Sequence, residues 1–406
     1  MSEMQFSQRS KVLPGALSIY INEIVYSLKR RGNDIITLSL GEAFFDIPMF
    51  DFAKLDFVKG YHYSDSQGLP ELREVIASFY QRQYGVDVDG LDEILVTAGS
   101  KIAIYMAILA TVNRDEHVLI HEPAWLSYQE QVRLIDATPH FIPYDVPVFE
   151  FESWFTPMTR MLIINNPNNP SGRIYTGEEL RSLVELCKKN RVWLLVDEAY
   201  SDFLRLGEFH SILEYDQSRE VIIVANSLSK NLGMSGWRIG YLIANPNLIR
   251  EVIKLNQHTI TCAPTILQSY LVKYFDQIIS ITLPQAQDVI DKRERVAAKL
   301  KELGLSSLDG VATFYFFVSI GDFPANSLEF SLYLLLYHNI SVAPGLAYGD
   351  STDGFIRVSI GTESEERIAD ALAVIRNVLH ARTPIGKLVD IKLAELGFRE
   401  FEAKRG

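Results

Sequence analysis

The chain predicts an α/β fold: a large domain built on a mainly parallel sheet flanked by helices, joined to a smaller α+β domain. Two observations carry that expectation. Short apolar runs at 93–97, 117–120, 161–164, 192–196, 221–225 and 239–243 alternate with stretches of helical periodicity, and such alternation builds strand–helix–strand units with parallel strands. From about residue 283 the pattern becomes one long charged helix over 285–303, strands over 314–320 and 355–359, and a helix starting near Ser364. That change of pattern marks a second unit. The last residues, 387–406, read as helical and charged.

Composition narrows the function. At 406 residues, 48% hydrophobic and 22% charged, the chain has the make-up of a globular protein long enough for more than one domain. Its 39 basic and 51 acidic residues leave a net charge of −12, which repels nucleic-acid phosphate and offers anionic lipid no basic anchor. The two cysteines, Cys187 and Cys262, lack metal-ligand spacing, so neither a disulfide framework nor a metal site is expected. The N-terminus has no charged-then-apolar signal, and the uncharged stretch 330–349 is broken by His338, Asn339, Pro344 and Gly345. A cytoplasmic protein with no membrane span is the expectation.

In sheets of this kind ligands gather beyond the carboxyl ends of the strands. Polar residues follow the apolar runs there. Gly99, Ser100 and Lys101 come after the first run and precede a helical pattern over 102–109, so backbone N–H groups at a helix start face an anion. Asn165 and Asn166 follow the third run, in a turn-forming stretch that continues through Asn169 and Gly172. Asp197 ends the apolar run Leu194-Leu195-Val196, where an unpaired charge costs roughly several kcal/mol. It is expected to have a cationic partner. The segment 227–241 reads Ser-Leu-Ser-Lys-Asn-Leu-Gly-Met-Ser-Gly-Trp-Arg-Ile-Gly-Tyr. It suits a phosphorylated aldehyde: Lys230 condenses with the aldehyde, while Ser227, Ser229 and Arg238 supply hydrogen bonds and positive charge for the phosphate. Each feature also has a plainer reading, as a solvated lysine, a glycine turn or a helix-capping aspartate.

The run Ser-x-Ser-Lys-x-x-Gly-x-x-Gly-Trp-Arg-x-Gly-Tyr resembles the cofactor-lysine segment of the class I/II aminotransferases, fold type I enzymes that use pyridoxal 5'-phosphate (PLP). The resemblance extends from about Leu13 to about Val378. It implies an aspartate aminotransferase-like fold with a seven-stranded-type sheet. The N-terminal segment 1–50 then joins 285–406 in a discontinuous small domain, beside a large PLP-binding domain over 51–284. It also implies a Schiff base between PLP and Lys230, which then acts as the base. Asp197 keeps the pyridine nitrogen protonated, as an electron-sink cofactor requires. Asn169 and Tyr200 donate to the phenolate oxygen, Trp125 stacks on the ring, and Gly99, Ser100, Lys101, Ser227, Ser229 and Arg238 surround the phosphate. Tyr63 resembles a tyrosine that crosses from the neighbouring subunit, which implies a homodimer. On the substrate side stand Gly41, Asn169, Lys101 and Arg357, the last as an α-carboxylate clamp whose fork lysine does not reproduce.

The implied activity is ping-pong transfer of an amino group between an amino acid and a 2-oxo acid. Lys101 matches a lysine of aspartate-type members and favours aspartate, or glutamate with 2-oxoglutarate, as one partner. Several departures leave aromatic, branched or specialised biosynthetic substrates open. The segment 13–17 lacks the hydroxyls expected near an acidic side chain, Ala43 replaces a usual proline, Ala263 an often-seen asparagine, Phe44 and Phe45 add bulk, and the connection 145–160 is short. Rivals are a carbon–sulfur lyase or cyclopropane-forming synthase on the same scaffold, a PLP-binding regulatory module, and a scaffold that binds no cofactor. Only about a dozen residues precede the first matched segment, and the acidic balance disfavours a DNA-binding module.

Overall fold

The computed structural model describes residues 4–399 and 401. In chain order its strands are β1 (Ile36–Thr37), β2 (Ile94–Thr97), β3 (His117–His121), β4 (Thr138–Ile142), β5 (Thr159–Asn165), β6 (Trp193–Asp197), β7 (Ile222–Ser227), β8 (Gly240–Ala244), β9 (Tyr315–Ser319), β10 (Ile340–Ser341), β11 (Ala343–Pro344) and β12 (Phe355–Ser359). Seven of them form one sheet in the order β2-β8-β7-β6-β5-β3-β4. Its pairs are parallel except that β8 runs antiparallel to both neighbours. The mainly parallel sheet read from the sequence is therefore present, with one reversed strand inside it.

Both faces of this sheet are covered, which is why its strands read as continuous apolar runs. Alternate residues supply the two cores. Leu194 and Val196 join one core with the helices Pro70–Tyr84 and Gly177–Asn190, whereas Leu195 joins the other with Ser100–Thr111, Ser127–Leu134 and Pro246–Thr259. Asp197 shares parity with Leu195, so its carboxylate turns toward the helix that carries Tyr128.

The second unit has its own core, formed by residues such as Phe314, Val318, Phe330, Val358 and Leu372. Its three-stranded sheet has the order β11-β12-β9, and β1 pairs in parallel with β10, tying the N-terminal stretch to this unit. The helix expected near Ser364 is Glu365–Ala381, with Ser364 accepting a hydrogen bond from the Arg367 N–H. The helix expected over 285–303 is longer: it runs Thr265–Glu302, with Pro284 inside. Tyr270 and Phe275 near its start lie in a large-sheet core, and Ile290 and Val296 near its end lie in the second core. Of the C-terminal stretch expected to be helical, Gly386–Leu396 is a helix; positions 400 and 402–406 lie outside the described residues. Among the described residues no helix is long and apolar enough to cross a membrane.

Candidate active site

The carboxyl ends of β5, β6 and β7 open into a cleft of about 610 Å³ lined by Lys230, Asp197, Asn169, Tyr200, Trp125, Ser100, Lys101, Ser227, Ser229 and Arg238, together with Glu42, Asn165, Ala199, Ser235 and Gly236. Eleven residues singled out from the sequence, Asn165 among them, thus meet in one place. Lys230 stands on the short helix Leu228–Asn231, whose start is capped by Ser227 accepting from the Ser229 N–H at 3.1 Å. Its ammonium donates to the Gly41 carbonyl. The residue as a whole is half-buried, but its amine lies deep enough that burial lowers its pKa to about 8, with Glu42 pulling the other way and Arg357 adding to the depression.

Asp197 ends β6 and is buried. The sequence led us to expect a cation beside it. The protein itself supplies neutral donors: the Oδ2 atom accepts from the Tyr128 hydroxyl at 2.6 Å, and Oδ1 accepts from the Ala199 N–H at 3.1 Å. Among the described residues no ion pair reaches it. Burial raises its pKa, while these two hydrogen bonds and the charge of Lys230 hold it down. A buried carboxylate with two neutral donors and a nearby cavity is a place for a cationic N–H from a ligand ring, so this part of the site fits PLP.

The other edge also fits. Asn169 Nδ2 donates to the Tyr200 hydroxyl at 3.4 Å, and the Tyr200 and Tyr315 hydroxyls share a hydrogen bond at 2.9 Å. Burial pushes the Tyr200 pKa well above its ordinary value, so the phenol keeps its proton as a donor. Arg357, on β12, donates from Nη1 to Asn169 Oδ1 at 3.1 Å and from Nη2 to the Ser39 carbonyl at 2.7 Å. Its Nε is buried without a partner. Arg357 does not itself line the cleft; it stands behind Asn169, which does.

At the end of the cleft expected to take the phosphate, the helix Ser100–Thr111 begins after Gly99, whose φ is +90°. A Cβ there would run into the Arg238 guanidinium. Only glycine lets the helix start and the arginine approach so closely. The Ser227 and Ser229 hydroxyls are hydrogen-bonded at 2.8 Å, and Arg238 Nη1 donates to the Ser235 carbonyl at 2.7 Å. Lys101 is exposed, with its ammonium 5.0 Å from the centre of the Trp125 ring. Tyr63 stands apart from this cleft, 85% exposed.

Sequence reading missed two supports, Tyr128 and Glu42, and placed Asn165 at the strand end without giving it a role. Tyr128 lies three residues after Trp125, and its contact with Asp197 spans 69 positions. Asn165 holds the Asp197 carbonyl at 2.7 Å through Nδ2 and the Asn169 N–H at 2.6 Å through Oδ1. Glu42 faces the cleft and accepts from the Ser235 hydroxyl at 2.5 Å. Only its place beside Gly41 hinted at the role.

Comparison with known proteins agrees with this geometry. The family described as aminotransferase class I and II matches residues 42–375. The chain belongs to that family. It is 31% identical over 386 residues to an aspartate aminotransferase of Thermotoga maritima, covering 93% of this chain and 100% of that one. It is 31% identical over 367 residues to an aromatic-amino-acid aminotransferase of Thermococcus litoralis, covering 87% and 94%. A solved aspartate aminotransferase of Thermus thermophilus with maleate superimposes with a TM-score of 0.83 at 25% identity, covering 92% of this chain and 100% of that one. As a class I/II aminotransferase of the aspartate aminotransferase type, the protein is an enzyme that moves an amino group between an amino acid and a 2-oxo acid, and its family implies PLP.

Proposed function

We propose that this transaminase binds PLP covalently through Lys230 and works by a ping-pong mechanism, with one acidic partner, aspartate or glutamate with 2-oxoglutarate. The observation that carries the reading is that Lys230 and Asp197 line one cleft. When bound, PLP supplies the electron sink for the pair left as the substrate's α-C–H bond breaks. The chain does the rest. Asp197, steadied by Tyr128, provides the negative charge beside the ring nitrogen. Asn169 and Tyr200 aim donors at the ring oxygen, Trp125 covers a face, and Gly99, Ser100, Lys101, Ser227, Ser229 and Arg238 hold the phosphate. Arg357 orients the substrate by its α-carboxylate. Lys230, released as a free amine, carries the α-proton, and its lowered pKa keeps a useful neutral fraction near physiological pH.

Lys101 supports the acidic partner because it matches the lysine of aspartate-type members and stands on the cleft wall beside Trp125. The same reading makes the enzyme a cytoplasmic homodimer in which Tyr63 reaches the neighbouring subunit's site, with 1–50 and 285–406 as the small domain around a 51–284 PLP-binding domain. The test is a panel of amino donors against 2-oxoglutarate, oxaloacetate and pyruvate. Release of one equivalent of 2-oxo acid per site without acceptor, and steady turnover with one, is the expected result. Catalytic release of ammonia or pyruvate without acceptor would overturn it in favour of a lyase.

A further inference from the structure

The segment Glu122-Pro123-Ala124-Trp125 leads from β3 to the tryptophan of the cleft. Glu122 does not line the cleft, yet it is 1% exposed and carries a carboxylate. Its oxygens point across to the other core's unit, at the loop 345–352. There Oε1 accepts from the Asp350 N–H, both oxygens take up the Ser351 N–H at 3.4 and 3.3 Å, and Oε2 accepts from the Ser351 hydroxyl. Two residues on, the Ala124 N–H donates to the Tyr348 carbonyl at 2.7 Å. Gly349 (φ +147°) packs so tightly that a Cβ would strike the Glu122 side chain.

The gripped loop is the connection between β11 and β12, and Arg357 sits on β12 opposite Ala343 of β11. Its neck is closed by the Thr352 hydroxyl, which donates to the Gly345 and Gly349 carbonyls at 2.8 and 2.9 Å. Tyr348, held at its carbonyl by Ala124, lies with its ring 5.4 Å from the Arg357 guanidinium. The loop is thus anchored at one end to the Trp125 segment and continuous at the other with the Arg357 strand.

We propose that Glu122 is a positioning residue, a latch that sets the Arg357 fork in register with the cofactor face covered by Trp125. This rests on the PLP reading above. Loss of the latch leaves PLP in place but moves the fork, and a misplacement of about 1 Å costs up to roughly a hundredfold in reaction rate. The effect therefore falls on ligands that own an α-carboxylate.

The experiment compares two probes: 2-methylalanine, which has no α-hydrogen to lose, and isopropylamine, in which a hydrogen replaces the carboxylate and which is therefore read at early times, before that hydrogen is lost. Binding of each to PLP-loaded protein is read from the cofactor's absorbance, beside the dissociation constant of PLP itself. Glu122→Met, which removes both acceptors at similar size, is expected to reduce the preference for 2-methylalanine about tenfold, with isopropylamine and PLP binding unchanged. Glu122→Gln retains one acceptor and falls between. Ser351→Ala, on an exposed residue that endangers no core, gives a smaller shift in the same direction. An unchanged preference in Ser351→Ala and whichever Glu122 variants fold overturns the latch. So does a parallel loss of both probes and PLP, which marks a purely structural role. A wild type that takes up neither probe overturns the functional reading itself, and the latch falls with it.

Discussion

Lys230 concentrates the electrostatics of the site in one amine. Burial disfavours its charged form, and Arg357 does so too; Glu42 opposes them. The result, about 8, sets a direction for cofactor uptake. Below that pH the amine is mostly protonated and has no lone pair for an aldehyde; above it the amine is neutral. The rate of PLP incorporation into cofactor-free protein should therefore rise about tenfold per pH unit up to about 8 and level off beyond. Stopped-flow absorbance at fixed PLP checks this, and a rate that falls over the same interval would contradict it. Lys230→Ala removes the amine. Turnover should collapse while PLP remains bound through the phosphate contacts, as seen by equilibrium dialysis.

At the scale of elements, the turn from β2 into the helix Ser100–Thr111 is the least replaceable feature of the proposed phosphate site. Gly99→Ala meets two obstacles: a φ of +90° that side chains avoid, and the Arg238 guanidinium in the space a methyl would need. Strain of this kind costs about 1–3 kcal/mol, so PLP affinity should weaken about tenfold or more while Lys230 chemistry is otherwise intact. An absorbance titration of the variant measures it; an unchanged affinity would remove Gly99 from the phosphate site. Elements of this sort were legible because their sequence signals are local: an apolar run ends and small or polar residues follow. β4 was not legible. Its residues Thr138, Pro139 and His140 interrupt the apolar pattern, and the strand lies at the sheet edge, half exposed, where proline is tolerated. The helix Thr265–Glu302 was read only from 285 because Pro284 looks like a start signal; packing in two different cores keeps the helix continuous through it.

At the scale of the molecule, the site draws on both units: the large sheet supplies Asp197 and Lys230, the N-terminal stretch brings Glu42 to the cleft and the Gly41 carbonyl to the lysine, and Arg357 on β12 backs Asn169. Single residues announced this through the family motif, but the contacts between units did not. The β1–β10 pairing involves two residues on each side, 304 positions apart, and no periodicity marks so short a ladder. Tyr63 belongs to this scale as well. It is 85% exposed, beside Tyr61 at 77% and Val58 at 69%, a surface in keeping with subunit contact. If Tyr63 completes the neighbouring subunit's phosphate site, Lys230→Ala and Tyr63→Ala are complementary defects. In a mixed dimer one site carries both lesions, and the other pairs an intact lysine with an intact tyrosine. Random reassortment makes half the dimers mixed, so about a quarter of all sites are native. Co-refolding equal amounts of the two variants should then give activity above the mean of the two variants measured alone. Activity equal to that mean would place Tyr63 in its own subunit's function or in none.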